Sequence, residues 1–65
     1  MQKFHVKGMS CGHCVRAVTQ AVLALDVAAE VQVDLPAGEV QVLSRLPAEQ
    51  VMAAIREEGY EVAPA

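Results

Sequence analysis

Apolar residues in this chain are spaced first by two and then by three or four, and this change of period at Gly8 limits the available folds more than any other feature. Over residues 2 to 7, Phe4 and Val6 alternate with Lys3, His5 and Lys7. That pattern suits a strand with one buried face. From Cys14 onward Val15, Val18, Val22 and Leu25 fall at i, i+3, i+7 and i+10, the stripe of an amphipathic helix. The spacing predicts a helix from about 12 to 25, with Ser10 or Cys11 as its N-cap. Leu23 falls off the stripe beside Arg16 and Gln20 and reads as a flanking position.

Alternation returns after Asp26. Ala29, Val31, Val33 and Leu35 share one face, with Glu30, Gln32 and Asp34 on the other, and Val40 and Val42 repeat it against Glu39 and Gln41. Pro36-Ala37-Gly38 between the runs is turn chemistry, so the two form a hairpin. Pro47 suits the first position of a helix, whose stripe of Val51, Met52, Ala54 and Ile55 ends at Gly59. This predicts a second helix from about 47 to 58, followed by a short strand through Tyr60 and Val62.

The resulting order, βαββαβ, is the ferredoxin-like arrangement of the α+β class. It predicts a four-stranded antiparallel sheet with both helices on one face. Lys3, His5, Glu30, Gln32, Asp34, Gln41 and Glu61 would line the open face. With 65 residues the chain can form one small domain, expected to span 1–65, with no room for a separate catalytic unit. The apolar fraction is 54% with only Phe4 and Tyr60 as aromatics, so the core must be aliphatic.

Eight acidic against five basic side chains give a formal charge of -3. Phosphate-backbone binding needs concentrated Lys and Arg, and no nucleic-acid partner is expected. An RNA-binding module of similar layout stacks bases on open-face aromatics, where this chain offers only His5. No apolar run approaches the roughly 20 residues of a membrane span, and residues 1 to 8 are too short and polar for a signal peptide. The expectation is therefore a cytoplasmic protein without membrane insertion.

Two cysteines three positions apart make a poor structural staple, since so short a loop removes little entropy from the unfolded chain. In a reducing compartment CxxC reads as metal-binding or redox-active. Cys11 lies in the loop after the first strand and Cys14 in the first helical turn, so both sulfurs can converge near the helix N-terminus. Backbone N–H groups there favour thiolates. Thiolates select soft ions such as Cu(I), whereas structural zinc usually takes four ligands. Two cysteines suit a two-coordinate ion, and zinc would need His13, an outside ligand or a second molecule.

The segment Gly8-Met9-Ser10-Cys11-Gly12-His13-Cys14, set between strand and helix, resembles the heavy-metal-associated domain family, and its small bacterial copper chaperones above all. The similarity covers nearly the whole chain, including Val31 to Val42 and the closing run Ala54 to Val62. It implies that Cys11 and Cys14 bind the metal, that Met9 is a conformational anchor and that Tyr60 sits in a loop beneath the site. Asp26-Val27 stands where many members carry Gly-Val, which should alter only the helix end. The resemblance implies a cytosolic Cu(I) carrier, not an enzyme, that passes its ion to a copper-transporting P-type ATPase or another copper-accepting protein. A metal-bridged pair of chains remains an open alternative. Two rival functions also stay open: a thiol-disulfide oxidoreductase, and a regulatory metal-binding module of a larger transporter. His13 reads as a residue tuning the thiols, as a third ligand to the metal, or as an exposed loop side chain.

Overall fold

A computed structural model describes residues 1–10 and 12–65. Six elements follow in the order β1 (Gln2–Lys7), α1 (Gly12–Leu25), β2 (Glu30–Asp34), β3 (Glu39–Leu43), α2 (Ala48–Glu57) and β4 (Glu61–Pro64). The strands form one antiparallel sheet in the spatial order β2-β3-β1-β4. This is the expected ferredoxin-like arrangement.

Register explains why one sheet face is apolar. Phe4 stands opposite Val40, Val6 opposite Val62, Val31 opposite Val42 and Val33 opposite Val40. These in-register pairs point one way, because side chains alternate along each strand. Phe4, Val6, Val40 and Val42 are buried with Val18 and Val22 of α1 and Val51, Met52 and Ile55 of α2. On the open face Lys3, His5, Glu30, Gln32, Asp34 and Glu61 are exposed, and Gln41 is half-buried. Gln41 sits in register between Lys3 and Gln32 on the strands either side.

Three local expectations are corrected. The second helix starts at Ala48 because Pro47 is extended, with ψ 145°, and serves as its N-cap; the helix ends at Glu57. Tyr60 precedes the last strand instead of belonging to it. In α1 Leu25 is 51% exposed, whereas Leu23 packs on the core. Since α1 touches both α2 and β2, its apolar contact is wider than a single stripe, and Leu25 lies in the last turn. The N-cap expected at Ser10 or Cys11 depends on a residue outside those described.

At the end of the sheet away from the β1–α1 loop, Asp26 does more than end a helix. Its carboxylate accepts from the Ser44 hydroxyl at 2.8 Å and the Ala28 N–H at 3.0 Å, and Ser44 Oγ accepts from the Leu46 N–H at 3.0 Å. The α1–β2 turn is thereby tied to the segment that leads into α2. The Ser44 hydrogen bond above all, with the Ala28 N–H, holds the Asp26 carboxyl below the usual carboxylate range.

Candidate metal-binding loop

The loop begins where β1 runs out of partners. Val6 donates from its N–H to the Gly38 carbonyl at 2.8 Å on one side, and Lys7 pairs with Glu61 on the other. One residue further, Gly8 comes to Tyr60 in the same register. Gly8 has φ +98°, and a Cβ there would stand 3.4 Å from Tyr60 Cδ1. The backbone conformation is one that L side chains rarely adopt, and it lets the chain turn away from the sheet with the ring against it.

Tyr60 reaches this position because of how α2 ends. Glu58 and Gly59 donate to the carbonyls of Ile55 and Arg56, and Gly59, at φ +92°, reverses the chain. Such a glycine just past a helix end is the usual stop signal. Tyr60 is half-buried and packs on the core from below the loop.

The far side of the loop enters α1. Cys14 is the third helical residue and is half-buried, and its thiol lies 3.8 Å from the Gly8 carbonyl oxygen, to which it donates. Gly8 and Cys14 thus meet across the base of the loop. Backbone N–H groups of a first helical turn lack intrahelical acceptors and favour negative charge nearby. The first turn of α1 carries no acidic residue to compete for that field.

Met9 is half-buried and packs against the core, while His13 is exposed. Cys11, the other expected ligand, lies outside the described residues. Lys7 and Arg16, which flank the loop in sequence, are exposed, and so are Glu57, Glu58 and Glu61 around the turn from α2 to β4. The fold brings Gly8, Met9, Cys14 and Tyr60 together. Sequence reading missed the Gly8 carbonyl as a partner of Cys14; the positive-φ glycine before the motif was the available signal.

Among the described residues, no helix is long and apolar enough to cross a membrane. Residues 3–61 match the heavy-metal-associated domain family. The copper chaperone CopZ of Bacillus subtilis (strain 168) is 43% identical over 61 residues, which cover 89% of this chain and 88% of the relative. The copper chaperone Atx1 from Synechocystis PCC6803, in its Cu2 form, superimposes with a TM-score of 0.93 at 40% identity, covering 97% of this chain and 100% of its own. A gold binding protein superimposes with a TM-score of 0.94 at 34% identity, and both chains are covered completely.

Proposed function

The chain belongs to the heavy-metal-associated domain family, and on that premise we propose that it is a Cu(I) chaperone which holds one ion between the thiolates of Cys11 and Cys14. The observation that carries this reading is the Cys14 thiol, half-buried in the first turn of α1 at the base of a surface loop. Relatives at about 40% identity are copper chaperones, and a similar structure is a gold binding protein. Both metals, as monovalent ions, are soft and suit thiolate ligands.

Two thiolates and one Cu(I) leave the site with a charge of -1. The N-terminal end of α1 offsets part of it, with Lys7 and Arg16 flanking the loop in sequence. Met9 anchors the loop from the core, Tyr60 forms its floor, and His13 acts from solvent on the two thiols. No bond to carbon is made or broken, and the family is not an enzyme class.

Handover proceeds by ligand exchange without change of oxidation state. An incoming partner thiolate binds first and makes the ion three-coordinate; one of the original thiolates then leaves. The second exchange repeats this, so no free ion forms. A copper-transporting P-type ATPase with a paired-cysteine domain is the partner we propose, because matched ligand sets make the exchange nearly balanced. The site requires reduced thiols, and a reducing cytoplasm suits that need.

Anaerobic titration with Cu(I) against a competing chelator, with native mass spectrometry, tests the binding claim. One ion per chain is expected, and the Cys11→Ser, Cys14→Ser double variant should lose tight binding while staying folded. Undiminished affinity in that variant would refute the assignment.

A further inference from the structure

Three connections meet at the end of the sheet that carries Cys14: the loop from β1 to α1, the turn from α2 to β4, and the hairpin turn between β2 and β3. The hairpin turn reaches β1 at Val6, two residues before Gly8. Pro36 and Ala37 lie in the turn and Gly38 closes it, with φ +67° and its N–H donating to the Leu35 carbonyl at 3.1 Å. Glycine takes such a φ without the steric cost that other residues meet. Gly38 then presents its carbonyl to β1, where it accepts from the Val6 N–H at 2.8 Å. A Cβ on Gly38 would stand 3.3 Å from the Val6 carbonyl oxygen, tighter than most such contacts, and that neighbour is backbone, so β1 itself would have to give by a few tenths of an ångström.

One glycine therefore holds the N–H of Val6 and sets the space around its carbonyl. Val6 is the last inward-facing residue of β1 and is buried. Lys7 follows in register with Glu61, and Gly8 leaves the sheet. The Gly8 carbonyl in turn accepts from the Cys14 thiol at 3.8 Å. A short path of main-chain contacts thus runs from Gly38 through Val6 and Gly8 to Cys14. Only Lys7 separates Val6 from Gly8, so a displacement of β1 at Val6 is passed to the Gly8 carbonyl. The thiol contact is already long, and a displacement of a few tenths of an ångström is enough to open it.

On the reading of Cys11 and Cys14 as Cu(I) ligands, we propose that Gly38 is a positioning residue of the metal site, which fixes the base of the loop through Val6 so that Cys14 is in place before the ion arrives. A site held in its binding geometry beforehand has less freedom to lose on binding. Loosening the base therefore lowers affinity and speeds release without touching a ligand. A hairpin glycine that acted on folding alone would change stability and leave the metal site as it was.

Gly38→Ala and Gly38→Asn test this together, because asparagine accepts a positive φ more readily than alanine yet keeps the Cβ against Val6. Ser44→Ala, which removes the hydroxyl bonded to Asp26 at the opposite end of the sheet, is the control for lost stability away from the loop. For each folded variant the urea midpoint, the Cu(I) affinity by chelator competition, the Cu(I) dissociation rate and the amide NMR shifts of the metal-free chain are measured. Both Gly38 variants should lose Cu(I) affinity by about three- to tenfold, release the ion faster and shift the amides of Gly8 and Cys14, whereas Ser44→Ala should lose stability with unchanged affinity. Parent-like affinity in Gly38→Asn would overturn the proposal, as would an equal loss in Ser44→Ala. A parent chain that binds no Cu(I) is a distinct result, which would overturn the reading of the site and this role of Gly38 with it.

Discussion

Tyr60 Cδ1 lies 3.4 Å from where a Cβ of Gly8 would be, and Gly8 holds φ +98°. That distance is ordinary van der Waals contact, so a side chain at position 8 is opposed by its backbone more than by collision. Gly8→Ala should cost about 1–3 kcal/mol, read as a lower urea midpoint. It should also weaken Cu(I) binding, because the Gly8 carbonyl is the partner of the Cys14 thiol. Unchanged stability and affinity would show that the loop does not depend on this conformation.

Met9 is expected to act through packing. Met9→Leu conserves volume, and such swaps usually cost below about 1.5 kcal/mol, so Cu(I) affinity should stay within about tenfold. A loss of several orders of magnitude in a chelator competition would make the thioether a ligand.

Asp26 gives the fold a pH dependence with a definite sign. Its carboxyl is held below its ordinary range by the Ser44 and Ala28 hydrogen bonds, so near the titration range the unfolded chain binds the proton more readily. The stabilisation is complete above the ordinary carboxylate range and disappears as pH falls through the lowered value. Asp26→Asn should therefore unfold at lower urea than the parent at neutral pH, and the gap should close at acidic pH. A gap that persists unchanged into acid would assign the effect to packing.

The aliphatic core leaves little reserve. Phe4 is 2% exposed and is the one phenylalanine. Phe4→Ala should cost about 3–5 kcal/mol, enough to unfold a domain of this size near room temperature. Circular dichroism with and without Cu(I) would show the loss, and a fully folded variant would contradict the core assignment.

Periodicity made most of the fold legible. The helix expected over 12 to 25 is α1, since the Val18 and Val22 stripe has one helical reading. The second helix starts one residue later than the pattern predicts, because Pro47 is compatible with both the cap and the first turn, and only ψ separates them. Leu23 and Leu25 exchanged roles because a helix seated between a sheet and a second helix contacts more than one stripe. In the loop, Cys14 falls in the first turn of α1, as its spacing predicts. The Gly8–Tyr60 contact depends on register between strands at opposite ends of the chain, and nothing local to either residue encodes it. The Asp26–Ser44 bond escaped for the same reason, since 18 positions separate its partners.

Transfer separates a chaperone from a protein that only binds tightly. The decisive measurement is stopped-flow Cu(I) transfer from the loaded chain to a paired-cysteine domain of the same fold, beside transfer to a small chelator of matched affinity. Ligand exchange through a shared intermediate predicts a rate to the protein that rises with acceptor concentration and exceeds the rate to the chelator. It also predicts a slower handover in the Cys11→Ser variant. Equal rates to both acceptors, independent of their concentration, would mean release as free ion and would contradict the chaperone account even with tight binding intact.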